Sequence, residues 1–141
     1  MNSTMTPNAV ELAGRALLAS LFLVTGFGKI TGYAATQAYM AATGVSASLL
    51  PVVIALELGG ALAIVLGYRT RIVAAALATF TLAAGVLFHS ADDPMQRIMF
   101  LKNVAIAGAL LMLVARGAGD WSLDARRGRN VAPEAFAAGR A

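Results

Sequence analysis

Residues 72–88 read IVAAALATFTLAAGVLF, a stretch without a single charged side chain. About 17–25 predominantly apolar residues are typical of a helix that crosses the hydrocarbon core of a bilayer. Three further apolar stretches of similar length occur in the chain. The sequence therefore predicts an all-α fold, a four-helix transmembrane bundle with helices at about 9–28, 49–67, 72–89 and 97–115.

The composition supports one membrane domain. Hydrophobic residues make up 59% of the 141 residues and charged residues 13%, about half the charge of a typical soluble domain. We therefore expect an N-terminal tail at 1–8, the membrane domain at 9–124 and a basic, flexible tail at 125–141. The start of the chain lacks the basic residues of a signal peptide, and Glu11 and Arg15 interrupt the first apolar run, so this run is predicted to be a retained helix.

Basic residues gather at one end of the predicted bundle. Arg69 and Arg71 lie between the second and third helices, and further arginines follow the fourth. Basic loops mark the cytoplasmic side, and four spans return the chain to the side on which it began. Both termini are therefore predicted to be cytoplasmic. The net charge of +4 is explained by this topology, and no nucleic-acid partner is expected.

The sequence contains few of the residues from which redox or hydrolytic centres are built. It has no cysteine and one histidine, and it lacks the P-loop, GxSxG and HExxH motifs. A thiol centre is excluded, a metal site is not expected, and no catalytic residue can be assigned. Whether the chain is an enzyme stays open.

A few polar side chains interrupt the apolar runs. Ionisable groups in hydrocarbon are costly, usually face the interior of a bundle, and often mark function. We predict an intramembrane polar cluster of Arg15, Glu57, Lys102 and Asn103. Glu57 is its expected centre, paired with Arg15, Lys102 or both, because long cationic side chains can reach a carboxylate on another helix.

Each of these residues also has a simpler interpretation. Arg15 could pair with Glu11 one turn earlier. Lys29 and His89 are predicted at the outer end of the bundle, where Lys29 would extend to the membrane surface and His89 would be exposed or cap a helix. Lys102 could also extend outward. The less apolar stretch 31–48 is expected to be interfacial, with a short helix at 34–42.

The order and spacing of several elements resemble the DoxX family over residues 11–124. These elements are Arg15, Gly26 and Lys29, then Glu57-Leu58-Gly59-Gly60, Gly67-Tyr68-Arg69-Thr70-Arg71, His89, Lys102-Asn103 and the segment GAGDWSLD at 117–124. The resemblance implies a multi-pass protein of the bacterial inner membrane. Some members of the family are subunits of quinone-linked oxidoreductases, and others are tied to redox-stress assemblies.

This resemblance favours an accessory or quinone-interacting subunit of a membrane oxidoreductase. A quinone is the candidate cofactor, and membrane lipid, a redox protein and a second copy of the chain are the candidate partners. Two alternatives remain open. One is a structural membrane protein without an activity of its own, and the other is a small proton-linked carrier in which Glu57 changes protonation.

Overall fold

The computed structural model describes residues 5–89 and 92–129, with side chains from residue 7, and this part of the chain contains no strand. Its helices are α1 (Met5–Thr31), α2 (Tyr33–Ala42), α3 (Leu50–Leu66), α4 (Thr70–Phe88) and α5 (Pro94–Arg116). A 3-10 turn at Ala47–Leu49 precedes α3, and residues 123–129 are also helical. Because α1, α3, α4 and α5 are long and apolar enough to cross a membrane, the predicted four-helix fold is confirmed.

Two helices begin earlier than hydropathy alone suggests. The segment expected to be a tail is already helical from Met5, and α5 starts at Pro94 rather than near 97. Asp93 determines this second start, because its carboxylate accepts hydrogen bonds from the backbone N–H groups of Met95 and Gln96 at 3.0 and 3.2 Å. The predicted flexible tail falls mainly on residues 130–141, which lie outside the described part of the chain.

The four spanning helices form two pairs. α1 packs against α3 and α4 packs against α5, while the contact between α3 and α4 joins the pairs. Small residues bring the helices close at these contacts, as at Gly60, where an added Cβ would lie 3.0 Å from Leu77 Cδ1. Large apolar side chains such as Leu17 and Val24 instead cover the outer surface, as a bilayer requires.

The turn between α3 and α4 is fastened by residues that follow α5. The Asp124 carboxylate accepts hydrogen bonds from the backbone N–H groups of Arg69 and Thr70 at 2.8 and 2.9 Å, and its own N–H donates to Gly67 O at 2.9 Å. Burial alone would raise the pKa of Asp124, but the hydrogen bonds from Thr70 and Arg69, with Arg127 nearby, lower it below its usual value. Asp124 therefore caps α4 as an ionised carboxylate.

Gly67 ends α3 in the left-handed conformation, with φ at +65°, and an added Cβ would overlap Ser122 and lie 2.6 Å from Arg15 Nη1. We expect Gly67→Ala to lower the free energy of unfolding by about 2–4 kcal/mol, combining backbone strain with overpacking. Gly44→Ala is the matched control, because Gly44 has φ at +77° but nothing within 4 Å of an added Cβ. It should cost only about 1–2 kcal/mol. Equal losses in unfolding experiments in detergent would contradict the close approach at Gly67.

Candidate functional site: an ion pair beside an intramembrane cavity

A buried ion pair joins α1 to α3. Glu57 lies in the middle of α3 and is 3% exposed, and both of its carboxylate oxygens accept hydrogen bonds from Lys29 Nζ, at 2.8 and 2.9 Å. Gly26, one turn before Lys29, lets the helices approach, since a Cβ there would lie 3.3 Å from Glu57 Cβ. The absence of a side chain at Gly26 thus places the carboxylate within reach of the lysine.

The predicted partners of Glu57 are wrong. Arg15 is 1% exposed and lies in the N-terminal half of α1, where its guanidinium donates to the carbonyls of Ile64, Val65 and Trp121 at 3.3, 3.0 and 2.6 Å. Fourteen residues of helix separate Arg15 from Lys29, about 21 Å at 1.5 Å per residue. Arg15 is therefore a structural link between α1, the end of α3 and the segment after α5.

The simpler interpretations of Arg15 and Lys29 also need correction. No salt bridge joins Arg15 to Glu11 within the described residues, because the guanidinium is used on the three carbonyls. The Lys29 side chain is 25% exposed and runs back along α1, where Nζ also lies 3.5 Å from Thr25 O. It points towards the bundle interior rather than to the membrane surface.

Lys102 forms no ion pair with Glu57. Its Nζ donates to Met99 Sδ at 3.3 Å, one turn earlier on α5, and makes no salt bridge with a described carboxylate. Asn103 packs against α4, where a Cβ on Gly85 would lie 3.2 Å from Asn103 Nδ2. His89 Nδ1 forms a 2.7 Å hydrogen bond with Gln96 Oε1, which ties the end of α4 to the first turns of α5.

A cavity of about 410 Å³ lies beside the ion pair, and Arg15 does not line it. The cavity therefore brings together the predicted Glu57, Lys102 and Asn103 with Lys29 and His89. Its walls are otherwise mainly apolar and come from all five helices and the segment between α2 and α3, with side chains including Leu21, Phe22, Val53, Phe80, Leu87, Phe88 and Ile106. The volume lies within the usual range for small-molecule sites, about 300–1,000 Å³.

The short helix α2 forms part of the cavity wall. Thr36, Tyr39 and Met40 contribute to the lining, and the Tyr39 ring stacks on Phe88 with centroids 5.4 Å apart. The sequence predicted an interfacial helix here, but it gave α2 no part in the site. The sequence signal for the position of α2 is its two tyrosines, Tyr33 and Tyr39, because tyrosine is typical of the depth of the lipid headgroups.

The cavity has the features of a site for a molecule with a polar end and an apolar body. Lys29, Lys102 and Asn103 supply hydrogen-bond donors, and the Glu57 carboxylate retains acceptor capacity beyond the two bonds it makes. In the described residues, no three His, Cys, Asp or Glu side chains lie close enough to hold a metal ion. The groups present can bind and orient a ligand through hydrogen bonds.

Comparison with known proteins agrees with the fold and the resemblance. The family model DoxX matches residues 10–90. Inner membrane protein YqjF of Escherichia coli strain K12 is 48% identical over 114 residues, which cover 80% of this chain and 88% of the relative. Inner membrane protein YphA of the same strain is 37% identical over 123 residues, covering 82% and 88%. No solved structure matches the chain. The chain belongs to the DoxX family and is a multi-pass protein of the bacterial inner membrane.

Proposed function

We propose that this protein is a quinone-interacting accessory subunit of a membrane oxidoreductase system, and that the cavity receives the quinone head group. The observation that carries the proposal is one cavity that combines mainly apolar walls with hydrogen-bond donors and one carboxylate. A quinone has the matching form, since its ring and isoprenoid tail are apolar and its carbonyl oxygens accept hydrogen bonds.

The polar groups fit both redox states of a quinone. Lys102 and Asn103 can donate to the carbonyl oxygens of the oxidised form, and Glu57 can accept from a hydroxyl of the reduced form. Lys29 holds Glu57 in place, because its ammonium donates hydrogen bonds to both carboxylate oxygens. Glu57 is thus the group best placed to take a proton from a quinol.

The arrangement of the helices gives a lipid-soluble molecule access from the bilayer. The cavity lies between the α1–α3 pair and the α4–α5 pair, and α1 makes little direct contact with α5 in the described residues. Both helices still contribute to the cavity wall, α1 through Leu21 and α5 through Ile106. A quinone could therefore enter sideways with its tail remaining in lipid.

An accessory role follows from what the chain lacks. Because the sequence contains no cysteine, any thiol-based redox step must be carried out by another protein. In this proposal the chain binds and orients the quinone, and a partner supplies or removes electrons. The partner role is tested separately, by copurification of a redox protein from native membranes.

The binding role is tested by photolabelling the purified protein in lipid nanodiscs with an azido-ubiquinone. We expect saturable labelling of peptides from α1, α4 and α5 that unlabelled decylubiquinone competes away. Ala84→Phe should abolish it, because Ala84 lines the cavity and a phenyl ring would fill the space. Ala76→Phe is the matched control, since Ala76 is exposed on the same helix and does not line the cavity. Labelling that does not saturate, or that both variants leave intact, would contradict the proposal.

A purely structural role is the second candidate, and Arg15 favours it. This buried cation bonds three backbone carbonyls and has no contact with the cavity. If these polar groups served assembly alone, variants at Asn103 and Lys102 would lower stability without a specific loss of quinone labelling or of copurification. Loss of labelling in Asn103→Leu with normal unfolding would instead support quinone binding.

A further inference from the structure

A second concave surface lies at the opposite end of the bundle, and we name it the arginine cleft. It is an open depression of about 520 Å³ between the α3–α4 turn and the residues that follow α5. Its lining consists of Arg69, Thr70, Arg71, Ile72, Arg116, Gly117, Ala118, Gly119, Ser122, Asp124 and Ala125. None of these residues lines the cavity around Glu57.

Two arginines of the cleft, Arg71 and Arg116, have no hydrogen-bond acceptor among the described residues. Arg71 and Arg116 are exposed, and neither guanidinium donates a hydrogen bond to a described residue, whereas the buried Arg15 donates three. Arg71 Nε lies 3.6 Å from the point that a Cβ on Gly117 would occupy, so its guanidinium lies against the end of α5 beside Arg116. Two exposed arginines therefore line one open depression.

Two carboxylates, those of Asp124 and Glu11, lie at a cleft that is lined by three arginines. Asp124 already accepts from the backbone N–H groups of Arg69 and Thr70. Glu11 reaches the edge of the cleft at Gly119. On the other side of the turn, the Arg127 guanidinium lies 5.1 Å from the Tyr68 ring centroid, and contact with Arg127 and then Arg69 lowers the pKa of Tyr68. The surroundings of the cleft are thus strongly positive.

Apolar side chains continue from the cleft onto the membrane-facing surface. Ile72, in the first turn of α4, is 67% exposed, and Trp121, in the segment that forms one wall, is 44% exposed. Tryptophan at the end of a spanning segment is typical of the headgroup region. A ligand held by the arginines would therefore have an apolar surface beside it at the depth where acyl chains begin.

We propose that the arginine cleft binds the headgroup phosphate of an anionic phospholipid. Arg71 and Arg116 donate paired hydrogen bonds to the phosphate oxygens, a geometry that suits the planar guanidinium, and an acyl chain lies along Ile72. The same phosphate chemistry could come from a soluble compound, but the exposed apolar residues beside the cleft favour the lipid. This proposal does not depend on quinone binding.

Trp121, the one tryptophan of the chain, permits a direct test. The protein is placed in vesicles of phosphatidylglycerol and phosphatidylcholine, with bromine on the acyl chains of one lipid or the other, and quenching of Trp121 fluorescence is measured. We expect the wild type to be quenched more by brominated phosphatidylglycerol. In Arg71→Gln/Arg116→Gln, the preference in binding phosphatidylglycerol over phosphatidylcholine should fall about tenfold, equivalent to about 1.4 kcal/mol.

The matched control is Arg126→Gln/Arg129→Gln, which removes two exposed arginines from the same end of the bundle but outside the cleft. It should keep most of the preference. An equal fall in both double variants would show a diffuse charge effect and overturn the proposal. Arg71→Lys/Arg116→Lys keeps the charge and should still lose most of the preference, because an ammonium cannot form the paired bonds.

A final arm distinguishes the source of the phosphate. Inorganic phosphate is added at an ionic strength matched with sodium chloride. If the cleft binds a lipid, the extra quenching by brominated phosphatidylglycerol should persist. If phosphate abolishes it and sodium chloride does not, the cleft binds a soluble phosphate compound and the lipid assignment is wrong.

Discussion

Lys29→Met will lower the free energy of unfolding by about 3–5 kcal/mol, because removing one partner of a buried ion pair leaves the other charge uncompensated. Glu57 is 3% exposed, and both of its oxygens depend on Lys29. The measurement is unfolding in mixed detergent micelles, followed by circular dichroism. Replacing both residues, in Lys29→Met/Glu57→Leu, should recover much of the loss, since an apolar pair of similar volume removes the unpaired charge.

Lys102→Met provides the control, because Lys102 lines the same cavity without a carboxylate partner. In a double-mutant cycle with Glu57→Gln, the effects of Lys29→Met should be strongly non-additive and those of Lys102→Met additive. Coupling between Glu57 and Lys102 instead of Lys29 would contradict the observed ion pair and restore the pairing predicted from sequence.

Arg15→Met should also cost about 3–5 kcal/mol. The Val65 and Trp121 carbonyls would lose a cationic donor, and bonds to charged groups contribute about 1.5–3 kcal/mol each. Because Arg15 holds the Trp121 carbonyl at 2.6 Å, the segment after α5 should loosen. We expect a red shift of Trp121 fluorescence and faster tryptic cleavage at Arg126 and Arg127, together with lower stability.

Two variants define the specificity of this effect. Arg97→Met removes an exposed arginine from the first turns of α5 and should change stability by less than about 0.5 kcal/mol. Arg15→Lys keeps the charge but cannot span all three carbonyls, so it should recover only part of the loss. Wild-type Trp121 fluorescence and stability in Arg15→Met would show that the guanidinium does not hold the segment after α5.

The spans could be predicted from sequence because lipid imposes a strict rule. A segment that crosses hydrocarbon must satisfy its backbone polar groups internally, so an uncharged run such as 72–88 has a helix as its natural conformation. Helix starts were harder to predict, since the beginning of α5 depends on local hydrogen bonds that the Asp93 carboxylate accepts from backbone N–H groups, and not on hydropathy. The polar residues of the site were found for the same reason as the spans, because each is costly in lipid.

The partners of those residues could not be read from depth and spacing alone. Arg15 and Lys29 share one face of α1, so the pattern did not decide which of them meets Glu57. The direction of the side chains does decide it, because Cα–Cβ bonds in a helix tilt towards its N-terminus. At the C-terminal end of α1 this tilt carries Lys29 inward to Glu57, and it carries Arg15 away from Glu57.

The same tilt explains Lys102. Its side chain leans towards the N-terminus of α5 and meets Met99 instead of reaching Glu57. The tilt of the Cα–Cβ bonds therefore favours Lys29 over Arg15 and Lys102 as the partner of Glu57. The contribution of α2 to the cavity could not be predicted from this tilt, because it depends on how α2 and the segment before α3 pack beside the spanning helices.

The clasp formed by Arg15, Trp121 and Asp124 has a consequence for biosynthesis. These contacts join the first hydrophobic segment and the α3–α4 turn to residues that are synthesised after all four spanning segments. All four segments can enter the bilayer before the clasp exists, so insertion and final assembly are separate events. A nascent chain stalled before Trp121 would be integrated but incomplete, with the guanidinium of Arg15 still lacking one of its carbonyls.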